Sequence, residues 1–322
     1  MNGLEISRQY WEECGRPMIE ERFPELMGLI AVGLIGAGSE CYGYDDDVSR
    51  DHDFEPGFCI YLPDEERVNR RQEFLLGRAY ESLSKEYMGL RRSLFNPAGG
   101  NRRGVFRTAG VFRAMTGLEG VPVGWRAYLS LPDQNWFEAI DGEVFYDGLG
   151  EFTAIREAWK KPPKDVVNKK LSGYLLRMTQ TGEYNYERCL QRGDEAAARL
   201  AAAEFVKAAI GALGWAYGRP APYYKWSFRF LQEFPEAGRY RELLAKILAS
   251  DNATDEIHAA CAEIMRILRE RGIVVVQGTQ AEGRTPAQAE GQQDDLQRAA
   301  VAINDAIGDG VLRNMSLLAA VN

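Results

Sequence analysis

The sequence predicts an α+β fold, in which an N-terminal mixed sheet with flanking helices is followed by an all-α helical bundle. Three observations predict it. LIAVGLIGAG at residues 29–38 is short, apolar and closed by glycines, as a buried strand running into a tight turn would be. DHDFEPGFCIYLP at 51–63 partly alternates and ends at Pro63, which predicts a second strand. Beyond residue 151 the pattern turns to long helical periodicity.

In chain order, residues 4–23 place Leu4, Tyr10, Trp11, Met18 and Ile19 at helical spacing, with a break expected at Pro17. The two strands follow, and residues 64–92, rich in Glu, Arg and Leu, are expected to return as a helix. NPAGGNRRG at 96–104 is loop by composition. Its Arg102 and Arg103, with Arg107 and Arg113 beyond, form either a solvated surface or a basic flap over a polyphosphate, since guanidinium groups match phosphate geometry. Short elements between 105 and 149 end in IDGEVFYDGLG. Helices are expected at 153–160, 165–181, 193–218, 226–232, 237–250 and 254–271; the alanine-rich one at 193–218 begins with a cap at Asp194. A polar low-complexity linker and a last helix near 294–307 complete the chain. The expected domains are 1–150, 151–275, the linker 276–293 and a loosely docked helical tail, 294–322, which offers a surface for a homo-oligomer or a protein partner.

Composition narrows the function. At 45% hydrophobic and 27% charged residues, disorder is excluded as the main state. A formal net charge of −8 repels polyanions, so duplex DNA is a poor partner. Apolar stretches fall short of the roughly 20 residues a membrane span needs, and the N-terminus carries acids where a signal peptide carries bases; the expected location is the cytoplasm, away from membranes. Five scattered cysteines without a CxxC pair read as buried free thiols, and His258 as structural.

The chemistry concentrates in GLIGAGSECYGYDDDVSRDHDFEPG, residues 33–57. On a strand, Asp51 and Asp53 would send both carboxylates to one face and His52 to the other. Two such carboxylates suit a hard divalent ion whose shell is completed by phosphate oxygens and water. The turn at Gly36–Gly38 lets backbone N–H groups approach a phosphate, and the Ser39 hydroxyl adds a donor. Asp45, Asp46 and Asp47 read as capping and turn residues. Arg50 either orients a carboxylate or phosphate or forms a structural ion pair. Lys225, among Tyr223, Tyr224 and Trp226 in RPAPYYKW, is either packed between helices or a phosphate or acceptor contact.

Gly38-Ser39, eleven intervening residues and Asp51-His52-Asp53 resemble the signature of the polymerase beta-like nucleotidyltransferase superfamily. More closely, GAGSECYGYDDDVSRDHD, GEVFYDGLGEFTAIREAW at 142–159 and RPAPYYKW at 219–226 resemble its bacterial branch known as domain of unknown function 4037, with a C-terminal helical domain. The resemblance covers most of residues 1–235. It implies Mg²⁺ (or Mn²⁺) on Asp51 and Asp53, a nucleoside triphosphate such as ATP held by Gly38 and Ser39, and transfer of a nucleoside monophosphate to an unidentified small-molecule or protein acceptor. It also implies that Asp46 organises the site. The superfamily's third carboxylate comes from a later strand, yet GVFRTAGVF at 104–112 holds no acid. Glu138, Asp141, Glu143 and Asp147 stay open for that role, with Asp141 and Glu143 preferred. Without such an acid the expected alternative is a catalytically weak nucleotide-binding regulatory or antitoxin-like module.

Overall fold

The structure, a computed structural model, describes residues 2–48, 55–92, 102–274 and 293–321. The chain divides into two compact units, residues 1–123 with 135–161 and residues 124–134 with 162–322. It is α+β, as the sequence predicts.

The first unit opens with α1 (Gly3–Tyr10), whose Asn2 and Glu5 form a capping box. A π-turn over Trp11–Gly15 leads directly into α2 (Arg16–Arg22). Pro17 therefore does not break the helix. The Arg16 N–H reaches back five residues to the Trp11 carbonyl, and this wider turn absorbs the misfit of a proline that has no N–H to donate.

Then come β1 (Ala31–Leu34), α3 (Ser39–Tyr42), β2 (Cys59–Leu62) and α4 (Arg70–Ser82). Both strands are shorter than expected: β1 stops at Leu34, and residues 55–58 are not strand. Asn69 caps α4 with a second capping box. The expected helix to residue 92 ends at Ser82 instead, and the chain makes a hairpin of β3 (Glu86–Tyr87) and β4 (Leu90–Arg91). Met88 and Gly89 both take positive φ there, 52° and 78°, as a two-residue hairpin turn demands. Arg92, 5% exposed, donates to the carbonyls of Tyr80, Glu81 and Leu83 and so closes the end of α4.

β5 (Gly104–Arg107), α5 (Thr108–Thr116), α6 (Gly124–Leu129), α7 (Asp133–Ile140), β6 (Glu143–Asp147) and α8 (Glu151–Lys160) follow; α6 and the first turn of α7 count with the second unit. The sheet order is β5-β2-β1-β6, with β1 antiparallel to both neighbours and β2 parallel to β5. Every residue of β1 and β2 is buried. Val32, Ile60 and Leu62 face a core with Tyr10, Trp11, Ile19, Phe58 and Leu76. On β2 the alternate residue Tyr61 stacks on Phe152 at 4.1 Å.

The second unit is helical. α9 (Lys164–Met178) continues through a π-turn, Thr179–Tyr186, into α10 (Glu187–Gln191). α11 (Glu195–Ala216) is capped by Asp194 as expected, and all residues from Ala208 to Ala216 are buried. The expected helix at 226–232 shortens to α12 (Ser227–Phe230) between 3₁₀ turns. α13 (Gly238–Ala249), α14 (Thr254–Glu270), α15 (Gln293–Asp305) and α16 (Gly310–Asn314) complete the unit.

The final helices are bolted to α9 by two of its side chains one turn apart. Asp165 accepts from the N–H groups of Gly308 and Asp309, at 3.2 and 3.0 Å. Lys169, fully buried, donates to Asn304 Oδ1, the Arg313 carbonyl and the Met315 carbonyl, at 2.9, 3.4 and 2.5 Å. Among the described residues no helix is long and apolar enough to cross a membrane. All five cysteines are free thiols, and His258 Nε2 lies 3.1 Å from Glu187 at the surface.

Two expectations follow. Lys169→Met removes three hydrogen bonds and leaves their acceptors unserved, which should cost about 2–3 kcal/mol; a urea titration, with hydrogen exchange rising over residues 304–315, measures it. Glu183, 4% exposed in the π-turn, has its carboxyl pushed up to about 7, chiefly by burial, against the hydrogen bonds from Cys261 and Thr179. Its folded value exceeds its unfolded one, so its contribution is complete below pH ~4.5 and is lost as pH rises towards 7, on the order of 2–3 kcal/mol in all. Melting temperatures between pH 4.5 and 8 should fall in the native chain, and Glu183→Gln should flatten that part of the slope.

Candidate functional site

In the first unit the glycine bend, Ser39 and the start of the acidic run follow the end of β1. Leaving the sheet at Leu34, the chain bends through Gly36 and Gly38, with φ of 107° and 135°, and enters the single turn of α3 at Ser39. Such angles are open to glycine and strained for other residues. The N–H groups of Gly36 and Ala37 donate to no described residue, and neither does the Ser39 hydroxyl, while the Gly38 N–H faces the Tyr42 phenol oxygen. Below the bend lies Glu40: a Cβ on Gly38 would fall 2.6 Å from its carboxylate.

The acidic run after α3 is partly structural. Asp45 accepts from the Gly3 N–H at 2.9 Å, tying the run to the start of α1. Exposed Asp46 accepts from the Val48 N–H at 3.1 Å, which is an Asx turn. Arg50, Asp51, His52 and Asp53 lie outside the described residues. Among those described, no group of three or more His, Cys, Asp or Glu side chains gathers into a metal site. The hard oxygens of two aspartates are the donor chemistry that Mg²⁺ takes.

Downstream, residues 55–58 lead into β2 under tight constraint. The Ser7 hydroxyl donates to the Gly57 carbonyl at 2.6 Å. Tyr80 receives the Phe58 N–H and donates to the Phe58 carbonyl. Arg103 crosses above Gly57, donating to Glu55 Oε1 at 3.2 Å and Glu40 Oε1 at 3.4 Å.

Of the four arginines read as either solvated surface or a phosphate flap, Arg103, Arg107 and Arg113 pair with acids. Arg103 is buried between two carboxylates, Arg107 donates to Glu73 and the Pro63 carbonyl, and Arg113 pairs with Glu119. No acid stands on β5, as its sequence requires.

The acids of the opposite edge differ from one another. Asp147 accepts from the N–H groups of Gly150 and Thr153, both at 2.8 Å, and so caps α8. Glu143 pairs with Arg8 of α1, whose guanidinium also lies over Phe145. Asp141 precedes β6 in a turn whose carbonyls, at 140, 141 and 142, all receive Arg156 Nη2. Burial pushes the Cys41 thiol and the Tyr42 phenol up; the charge of Glu40 adds to the first and that of Glu138 to the second, and Asp141 adds to both, which puts it within electrostatic reach of α3. Of the acids expected as third carboxylate, Glu138 and Asp141 are those whose charge reaches Tyr42. Sequence reading missed Glu40, Glu55 and Arg156, and it weighed Arg103 only as solvated surface or phosphate flap; the one signal was a glutamate inside the otherwise buried Glu40-Cys41-Tyr42 turn.

Lys225 belongs to the second unit, exposed, with its ammonium 5.0 Å from the Trp226 ring centre. A cleft of about 430 Å³ in that unit, lined by Tyr186, Ala198, Arg199, Ile247 and Asp251 among others, includes none of the expected site residues.

The pairing of β1 with β6 sets the bend's position. A Cβ on Gly33 would lie 2.3 Å from the Glu143 carbonyl, and one on Gly142 equally close to that of Leu34. Gly33→Ala should therefore destabilise the first unit by about 2–3 kcal/mol, whereas Gly28→Ala, which meets nothing within 4 Å, should be neutral. Urea midpoints of the two variants make the comparison.

No curated protein and no solved structure matched the chain. Residues 128–227, a stretch holding Asp141, Glu143 and Lys225 but not the glycine bend, match the family described as Domain of unknown function (DUF4037), and this part of the chain is a DUF4037 domain.

Proposed function

We propose that the chain is a metal-dependent nucleotidyltransferase. It would move a nucleoside monophosphate from a nucleoside triphosphate, ATP first among them, to a small-molecule or protein acceptor, with pyrophosphate leaving. The observation that carries this reading is the bend after β1: two successive amide donors, of Gly36 and Ala37, that meet no described acceptor, followed after Gly38 by the Ser39 hydroxyl, at the end of a buried central strand. Donors held by a rigid sheet need no reorganisation to receive a phosphate.

In this reading Gly38 and Ser39 hold the leaving phosphates, while Asp51 and Asp53 hold Mg²⁺ or Mn²⁺, with Asp46 ordering the turn before them through Val48. The bound metal would supply charge neutralisation on the phosphoryl oxygens. Asp141, beside α3, is the first choice for accepting the proton of an acceptor hydroxyl, ahead of Glu143, which is already paired with Arg8. Arg50 and Lys225 are secondary phosphate contacts. The net charge of −8 favours a cationic acceptor.

A second reading, a nucleotide-binding regulatory or antitoxin-like module without efficient transfer, is favoured by one observation. β5 carries no acid, while on β6 Asp147 is spent on a helix cap and Glu143 on Arg8. One experiment separates the two. The purified chain is given Mg²⁺, each triphosphate and a panel of acceptors, and pyrophosphate is measured beside calorimetric binding. Transfer predicts pyrophosphate release that drops at least ~100-fold in Asp51→Asn and strongly in Asp141→Asn. Tight binding without release selects the second reading, and absence of both sinks the pair.

A further inference from the structure

Arg103 has a guanidinium engaged on two sides. Its side chain is 7% exposed, and the carboxylates it meets, Glu40 and Glu55, are 9% and 18% exposed. The two acids belong to different parts of the fold. Glu40 supports the glycine bend from below, and Glu55 opens the lead-in to β2. Arg103 itself adjoins β5, which is tied to the same lead-in by the Gly104 N–H donating to the Phe58 carbonyl at 3.2 Å. Gly57 lacks a side chain where Arg103 passes, since a Cβ there would lie 2.4 Å from Arg103 Cδ. One planar cation thus spans bend, lead-in and β5, and its forked donors serve both carboxylates at once.

We propose that Arg103 is a positioning residue that couples the Gly36–Gly38 bend to the lead-in of β2, so that the open amides of the bend keep a fixed place relative to that strand. The proposal rests on the reading of the bend as a triphosphate cradle for its consequence, though not for its geometry. Without Arg103, two largely buried carboxylates lose the cation they share, and the least disruptive relief is for the bend and the lead-in to move apart.

The test compares Arg103→Lys, Arg103→Met and the triple variant Glu40→Gln/Glu55→Gln/Arg103→Met, the last of which removes the stranded charges with the cation. Melting temperature, hydrogen exchange of peptides covering 36–44 and 55–62, and binding of Mn²⁺ with a nonhydrolysable ATP analogue are measured on the full chain. Arg103→Met should accelerate exchange in both peptides together and weaken analogue binding at least tenfold. Arg103→Lys should fall between, because an ammonium serves the two acids without the fork. The triple variant should recover melting temperature yet keep the fast exchange and weak binding, which a purely stabilising role would not produce. Faster exchange confined to 102–107, or full recovery of binding in the triple variant, overturns the proposal. If the native chain binds no analogue, the nucleotide reading falls and the exchange pattern alone upholds or overturns the coupling. Should Arg103→Met fail to fold, Gly57→Ala displaces the same side chain with its charge retained, and the same two peptides must respond.

Discussion

The first unit depends on the burial of β1 on both faces. A strand with no solvent on either side must satisfy its N–H and C=O groups through its edges, and β2 and β6 supply them, both antiparallel. The approach of β6 is close enough that Gly33 and Gly142 must lack side chains. The register shift between Val32 and Gly33 absorbs the one-residue mismatch. Once the strand is fixed, so is the point at which the chain must leave the sheet, and the bend at Gly36–Gly38 follows from the central strand ending there.

The buried cations show how an acidic chain arranges its interior. Arg92, Arg103, Arg156, Lys169 and Lys170 are all largely withdrawn from water, and each is met by carbonyls or carboxylates. Around Lys170 the arrangement is a small network: Asp133 receives its ammonium at 2.9 Å on one oxygen, and on the other the Tyr174 hydroxyl and the Trp215 indole N–H, at 2.8 and 2.7 Å. Removing one member of such a set leaves a buried charge or dipole unserved, so these residues define geometry more than they add stability. A basic stretch near a glycine-rich loop has the composition of a phosphate flap and of an internal staple alike. Only the location of the partner acids, Glu40, Glu55 and Glu73, separates the two.

Helices with caps and apolar periodicity were legible from sequence because both signals are local. Asp194 and the run after it define α11, and the glycine-closed run at 29–38 contains β1. The hairpin at 86–91 was hidden because Met88-Gly89 is not among the usual turn pairs and the surrounding charges suit a helix as well. Pro17 misled because a proline ends a helix only where the missing N–H cannot be bypassed, and here a π-turn bypasses it. At the candidate site, the bend and its serine were visible as a motif, whereas the turn holding Asp141 is fixed by Arg156, fifteen residues further along the chain. Contacts of that kind leave no local pattern.

The distribution of acids constrains what any acceptor must bring. Transfer to a hydroxyl or a protonated amine requires a base, and the described carboxylates of β6 are committed to Arg8 or to the cap of α8. The backbone of Asp141 is held by Arg156, which grips the carbonyls on either side of it and its own. On α3 a thiol and a phenol, both raised chiefly by burial, feel the charge of Asp141 beside those of Glu40 and Glu138. Under the proposed transfer, the base therefore falls to the turn before β6, apart from the bend, whose amides carry no titratable group at all.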